Sequence, residues 1–238
     1  MKSKREQIGK KISIGLALLA CTFLLCSCNG KAKEPKGVSK TVSVNEKEKA
    51  RLLKEIDKTY ENVDAHYKLG QLYLADGLWS QAEHQQSIAL TFDPVHRKAQ
   101  AARVKALLGA GDNTKAQLLA EEYVKQASIS AAASLELGLA YQDQNLDDYA
   151  LKCYQQALQM APNSAKINRQ IGYYYLSKGN RDIAREYLSR SFQLNPNQPE
   201  VAGELGRLGV PVRIPRKKPA DAKKLDKMVD KNANAKYR

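Results

Sequence analysis

The chain has 238 residues and a formal net charge of +14 at pH 7. Most of that charge lies at the two ends: residues 1–27 carry +4 and residues 207–238 carry +8, which leaves +2 for the long central part. A nearly neutral centre argues against a protein that binds nucleic acid through its whole surface, and we expect no nucleic-acid partner.

The N-terminal segment predicts export. Five Lys or Arg residues lie within the first eleven positions, and an uncharged, largely apolar run follows from Ile12 to Leu25. A basic start followed by a short apolar run is typical of a secretory signal peptide, and this run is shorter than the roughly 20 apolar residues of a membrane-spanning helix. We therefore predict a signal peptide over residues 1–27; an uncleaved anchor and secretion without a lipid are the alternatives.

Three of the four cysteines lie at the end of this apolar run. No histidine accompanies Cys21, Cys26 and Cys28, so a tetrahedral zinc site is poorly supported, and Cys153 is the only other candidate for a disulfide. The stretch Leu25-Cys26-Ser27-Cys28 resembles the lipobox of bacterial lipoproteins, in which the final cysteine is lipidated and becomes the first residue of the mature chain. The resemblance implies lipidation at Cys28. A competing match ends at Cys21, but cleavage there would leave an apolar segment on the mature chain.

Two segments lead from the signal peptide to the central part of the chain. Residues 28–45 begin with polar residues and predict a flexible linker that reaches away from a bilayer. Residues 46–62 contain the charged, amphipathic sequence EKEKARLLKEIDKTY and predict an N-terminal capping helix.

The central part repeats with a period of 34 residues. A step of 34 aligns four columns of small, aromatic or turn-forming residues, which begin at Gly70, Tyr73, Ala82 and Pro94. Columns that keep their register through four units without an insertion indicate a repeat architecture. A turn signal such as Asp76-Gly77 near the middle of the unit predicts two helices in each repeat.

This pattern, with Leu69-Gly70, Tyr73, Ala82 and Pro94 in the first unit, resembles the tetratricopeptide repeat, a 34-residue helix–turn–helix unit. The resemblance implies an all-α solenoid of helical hairpins, with four full repeats plus capping helices. The second unit departs most from the family pattern, since Val104 occupies the glycine position and Ser128 occupies the proline position. The implied boundaries are repeats over 63–96, 97–130, 131–164 and 165–198, a C-terminal capping helix over 199–209 and a basic tail over 210–238.

No arrangement of residues typical of an enzyme is present in the sequence. His66, His84 and His96 form neither an HExxH motif nor a pair with i,i+4 spacing, and no phosphate-binding or nucleophile-elbow motif occurs. Cys153 lies in a helical run without a nearby histidine, and such a cysteine is usually inert. We therefore predict a protein with no catalytic residues, no metal and no cofactor.

The resemblance implies a role in protein binding. In tetratricopeptide-repeat proteins the first helices of successive units line an inner groove that holds an extended peptide or a partner helix. The matching positions here mix apolar, aromatic and basic side chains. Gln71 replaces the asparagine of the chaperone-binding carboxylate clamp, so that mode of binding is not reproduced. The predicted groove residues are Tyr67, Gln71, Leu74, Lys98, Ala101, Lys105, Leu108, Leu135, Leu139, Gln142, Lys166, Arg169, Tyr173 and Leu176.

These features together predict a membrane-anchored lipoprotein of the bacterial cell envelope, on the periplasmic or outer-membrane side, that acts as a scaffold or adaptor. The arrangement is similar to that of the pilotin lipoproteins, which help type IV pilus secretin rings to assemble. That similarity implies a role in building an envelope machine such as a type IV pilus or a secretion apparatus. The alternative is a cell-wall or polyanion-binding protein whose basic tail contacts an anionic surface.

Overall fold

The computed structural model describes residues 38–212, with side chains from residue 45 onward, together with Lys224 and Lys227. The predicted signal peptide, Cys28, the first part of the linker and nearly all of the basic tail lie outside the described residues. Within the described residues the chain contains no strand and ten helices. They are α1 (Val38–Lys58), α2 (Val63–Ala75), α3 (Trp79–Phe92), α4 (Arg97–Gly109), α5 (Asn113–Ala127), α6 (Ala131–Asp143), α7 (Asp147–Met160), α8 (Ala165–Ser177), α9 (Arg181–Leu194) and α10 (Pro199–Arg207).

Each 34-residue unit contains one helical hairpin. The hairpins are α2–α3, α4–α5, α6–α7 and α8–α9, and α1 and α10 flank them at the two ends. The predicted fold class, an all-α solenoid of four hairpins with capping helices, is thereby confirmed. Among the described helices, none has the length and apolar character needed to span a bilayer.

The first helix begins earlier than the sequence predicts. It runs from Val38 to Lys58, whereas the sequence predicts a linker up to residue 45 and a helix over residues 46–62. No glycine or proline interrupts the chain between Gly37 and the amphipathic segment, so the helix can propagate one hydrogen bond at a time toward the N-terminus. At the other end, Asn62 belongs to the next helix, where its side chain accepts a hydrogen bond from the Ala65 amide at 3.0 Å.

The turn inside each hairpin has the same backbone conformation in all four units. Gly77, Gly111 and Gly179 have φ values of +72°, +83° and +74°, and Asn145 has a φ of 57° at the corresponding position of the third unit. Glycine incurs no steric penalty in this left-handed region, and asparagine is among the few other residues that adopt it. The four hairpins therefore keep one geometry although this position differs in sequence.

In the units that have a glycine inside the first helix, the two helices of the hairpin approach each other closely at that glycine. A Cβ atom placed on Gly138 would lie 2.6 Å from the ring of Tyr154, and one placed on Gly172 would lie 2.6 Å from Leu188. Either distance is too short for a real contact. The close approach explains why glycine occurs inside these helices despite a helix-propensity penalty of about 1 kcal/mol.

The hydrophobic core consists of one large cluster and a smaller cluster at each end. The large cluster extends from Ala89 to Tyr174 and joins all four units. At the N-terminal end Leu52 of α1 packs in one cluster with Leu69 of α2, and at the C-terminal end Leu205 of α10 packs with Leu188 of α9. The outer helices thus cover apolar surface that the terminal hairpins would otherwise expose to water.

Candidate functional site

The first helices of the first three units, α2, α4 and α6, border an open cavity of about 500 Å³. Pockets of about 300–1,000 Å³ are typical of ligand sites, so this cavity has the size needed to hold several atoms of a bound chain. The lining consists of Asp64, Tyr67 and Lys68 from α2, Asp93, Val95, His96, Arg97 and Lys98 from the α3–α4 connection and the start of α4, and Glu136, Leu139, Ala140 and Asp143 from α6.

The apolar part of the cavity is formed by Tyr67 and Leu139. Both side chains are half-buried and pack against the large hydrophobic cluster. The ring of Tyr67 also lies 5.1 Å from the ring of His96, centroid to centroid. His96 is held in turn by the start of α4, because its Nδ1 accepts a hydrogen bond from the Ala99 amide at 3.1 Å. Tyr67 is therefore a fixed aromatic surface that remains partly accessible.

Carboxylates stand on both sides of this apolar surface. The side chains of Asp64, Glu136 and Asp143 form no salt bridge or hydrogen bond with any residue in the described part of the chain. Burial raises the pKa of Tyr67, and the negative charge of Asp143 raises this pKa further. Asp143 of α6 and Tyr67 of α2 line the same cavity, although the two residues belong to different units.

The basic residues of the lining differ in accessibility. Arg97 is buried, and its Nη1 donates a hydrogen bond to Gln100 Oε1 at 3.0 Å. Lys68 and Lys98 are exposed, and neither forms a salt bridge within the described residues. The accessible charge of the cavity therefore includes both signs, with more carboxylates than exposed lysines.

Gln71 follows Tyr67 by one turn of α2, and Gln142 and Gln144 flank Asp143 in the sequence. Gln144 Nε2 donates a long hydrogen bond of 3.5 Å to Gln71 Oε1, which links the end of α6 to α2. Gln142 Oε1 accepts hydrogen bonds from Tyr154 Oη and, at 3.4 Å, from Gln170 Nε2. The Nε2 atom of Gln71 is buried and has no acceptor in the described part of the structure.

The structure brings only a minority of the predicted groove residues together. Tyr67, Lys98 and Leu139 line the cavity. Four others are half-buried and do not line it: Gln71, Leu74, Lys105 and Gln142.

Two of the predicted groove residues belong to the hydrophobic core. Ala101 is 0% exposed and Leu135 is 2% exposed, and both are members of the large cluster. The reason is that α4 packs against α6, so these positions contact the neighbouring helix of the array and are closed to a ligand. Substitution of Leu135 by a charged residue is therefore expected to unfold the array.

The remaining predicted residues lie elsewhere on the array. Leu108 lines a second cavity of about 560 Å³, which it shares with Tyr149 and other residues around the α6–α7 turn. Arg169 Nη1 donates to Gln198 Oε1 at 3.1 Å, ahead of α10. Lys166 is half-buried, and Tyr173 and Leu176 pack against the C-terminal cluster. None of the α8 residues contributes to the cavity at α2, α4 and α6.

Sequence reasoning missed the acidic residues of the cavity. Asp64 precedes Tyr67 by one turn of α2, and Glu136 and Asp143 lie one turn on either side of Leu139 in α6. Helical spacing from Tyr67 and Leu139, the predicted residues that line the cavity, would have found all three. The loop residues Asp93 and Val95 carry no such signal, because the fold alone brings the α3–α4 connection to the cavity.

His66 and the single described cysteine are buried in the array. His66 is buried, with Nδ1 at 2.7 Å from Gln85 Oε1 and Nε2 at 2.8 Å from the Tyr60 carbonyl oxygen. Cys153 is also buried, and burial raises the pKa of its thiol to about 12, so the reactive thiolate is scarce at neutral pH. No group of three or more His, Cys, Asp or Glu side chains in the described residues could hold a metal ion.

Family models match the last three of the four units, from residue 101 onward. Residues 101–165 match a model of the tetratricopeptide repeat, and residues 165–198 match another. These residues form tetratricopeptide repeats. The hairpin over residues 63–96 shares their period and their turn geometry. The chain thus has the fold of a protein-interaction scaffold, a fold that is typically non-catalytic.

Several solved structures resemble the array. MamA from Desulfovibrio magneticus RS-1 is 21% identical, with 63% of this chain and 84% of that chain covered and a TM-score of 0.35. The Pseudomonas aeruginosa pilF protein is 27% identical over 61% of this chain and 67% of that chain, with a TM-score of 0.36. YrrB, described as a TPR protein with an unusual peptide-binding site, is 18% identical over 69% and 84%, with a TM-score of 0.36.

A search of curated proteins finds no match. The structural similarities have TM-scores below 0.5, so they add nothing to the assignment that the repeat itself supports.

Proposed function

We propose that this chain is a non-catalytic, membrane-tethered adaptor that binds an extended peptide or a partner helix during assembly of a cell-envelope machine, such as a type IV pilus or a secretion apparatus. The observation that carries the proposal is the open cavity of about 500 Å³ at α2, α4 and α6. Its half-buried Tyr67 and Leu139 offer apolar contact, and its charged rim offers orientation. Binding sites for peptides and small ligands commonly combine these two features.

Lipidation at Cys28 supplies the tether in this proposal. Each buried methylene of an acyl chain contributes about 0.8 kcal/mol, so two or more chains make attachment effectively permanent. The helix α1 begins at Val38, and a fully extended chain from residue 28 to residue 38 spans at most about 35 Å. The repeats would therefore stay near the bilayer, where the components of an envelope machine assemble.

Site-specific photo-crosslinking in the native cell tests both parts of the proposal. A photoreactive phenylalanine derivative replaces Leu139 in the cavity, and a control chain carries it at Leu118 of α5, which is 66% exposed and lies outside the lining. We expect one protein partner, identified by mass spectrometry, to be captured at residue 139 and not at residue 118. With Cys28→Ala added, we expect the protein to leave the membrane fraction and the captured amount to fall.

Two results would contradict the proposal. Capture at residue 118 without capture at residue 139 would move the binding site away from the cavity. A Cys28→Ala chain that is still cleaved, lipid-labelled and membrane-bound would show that another cysteine carries the tether.

A further inference from the structure

We propose that the cavity recognises an extended peptide by one Lys or Arg side chain, whose charge lies between the ring of Tyr67 and the carboxylate of Asp143. This inference rests on the proposed function and adds the chemistry of the partner to it. The partner we infer is a separate protein that presents a basic residue in an extended segment.

The arrangement of Tyr67 and Asp143 favours a cation. An aromatic face attracts an ammonium or guanidinium group, and a neighbouring carboxylate adds a charge-assisted hydrogen bond. The packing of Tyr67 against His96, at 5.1 Å between ring centroids, holds the ring in place before any ligand arrives. Tyr67 is half-buried and Asp143 is exposed, so the ring supplies the less hydrated side of the proposed site and the carboxylate supplies the side that faces solvent.

The other charged residues that line the cavity also favour a positively charged ligand. The carboxylates of Asp64 and Glu136 also have no salt-bridge or hydrogen-bond partner among the described residues. Counting Asp93, four carboxylates line the cavity, against the exposed Lys68 and Lys98 and the buried Arg97. The lining therefore carries one more negative than positive charge, and a ligand with a single positive charge would balance it.

One unsatisfied donor lies one turn of α2 beyond Tyr67. Gln71 Nε2 is buried and has no acceptor in the described part of the chain. Its neighbour Gln144 is attached only by the 3.5 Å hydrogen bond to Gln71 Oε1, which is long for a strong bond. If this contact opens, Gln71 can donate to a peptide carbonyl beside the bound cation, and an unsatisfied buried group gains its partner.

Selection from a peptide library tests this inference. The probe is a library of random nonapeptides with acetylated and amidated ends, applied to the full chain purified in detergent. We expect retained peptides to be enriched several-fold in Lys or Arg at one position. We expect Asp143→Asn and Tyr67→Leu each to weaken binding of a selected peptide roughly tenfold and to abolish the preference for a basic residue.

The matched control is Asp57→Asn, which removes the same charge from the exposed surface of α1, outside the cavity. We expect this variant to bind selected peptides as the unchanged chain does. Far-ultraviolet circular dichroism of all variants verifies that the helices are intact.

Each other outcome overturns a distinct statement. Enrichment of apolar or acidic residues in the retained peptides would overturn the inference of a cationic partner and leave the proposed function standing. A preference for basic residues that survives Asp143→Asn and Tyr67→Leu would have the same consequence. If no peptide is retained, or if Leu139→Glu leaves the retention of peptides unchanged, both the inference of a cationic partner and the proposed function are overturned. Displacement of selected peptides by a synthetic peptide of residues 210–238 at equal affinity would identify the chain's own tail as the occupant and overturn the assignment to a separate partner.

Discussion

Pairs of residues sixteen positions apart determine how closely the two helices of each hairpin can pack. Gly138 of α6 lies against Tyr154 of α7, a large aromatic residue that is 1% exposed. In the second unit the corresponding pair is Val104 and Ala120, and both are 0% exposed. The larger residue on the first helix is thus accompanied by a smaller residue on the second. This exchange of volume explains how the second unit keeps the fold without the glycine.

A methyl group at residue 138 tests this packing. Gly138→Ala places its Cβ against the ring of Tyr154, and overpacking of this kind costs about 1–3 kcal/mol, more than the roughly 1 kcal/mol of helix propensity that alanine gains. We expect a net loss of up to about 2 kcal/mol in the free energy of unfolding, measured by urea denaturation. Gly203→Ala in α10, where no atom lies within 4 Å of the added Cβ, is expected to be slightly stabilising. Equal stability of the two variants would contradict the packing argument.

At the scale of the element, α1 acts as a cap because of its amphipathic sequence. Leu52 and Ile56 are buried against α2, whereas Leu53 is 44% exposed. Lys49, with a side chain 11% exposed, forms salt bridges with Glu46 at 2.6 Å and with Asp76 at the end of α2. The helix is therefore attached by an apolar stripe and by one partly buried ion pair.

Adjacent leucines of α1 provide a matched test of the cap. Leu52 is 1% exposed, so Leu52→Ala leaves a cavity between α1 and α2, and we expect it to lower the free energy of unfolding by about 2–4 kcal/mol. Leu53→Ala removes the same atoms from a side chain that is 44% exposed, and we expect a loss below about 0.5 kcal/mol. Thermal denaturation followed by circular dichroism measures both. Similar losses for the two variants would show that α1 does not pack on the array as described.

At the scale of the whole molecule, the division of the core predicts where the array opens first. The large cluster joins all four units, while α1 and α10 contribute only to the small clusters at the ends. In a repeat protein each unit is stabilised mainly by its neighbours, so an outer helix with one neighbour is held less firmly than an inner one.

Hydrogen exchange followed by mass spectrometry tests this gradient of local stability. We expect the slowest amide exchange in α4–α7, which have neighbours on both sides, and faster exchange in α1 and α10, which open without disrupting the large cluster. Selective protection of the outer helices, or uniform protection along the described array, would contradict this expectation and indicate that the core opens as one unit.

The sequence alone determined the period, the hairpins and the fold class. The 34-residue register, the turn residues at positions such as Gly77 and Gly179, and the glycines inside helices act through local sterics, which a linear pattern expresses directly. The start of α1 was the exception among these local features, because a polar composition suggested a linker where nothing in the chain actually stops a helix.

Only the tertiary structure decided which residues form the cavity. The inner-face pattern placed Ala101 and Leu135 beside Tyr67 and Leu139, but the packing of α4 against α6 buries the first pair and leaves the second partly open. Likewise, Asp143 reaches the surroundings of Tyr67 because the array brings α2 and α6 together across α4. A repeat pattern specifies each hairpin, whereas the accessibility of a side chain depends on how successive hairpins stack, and that stacking is a property of the assembled array.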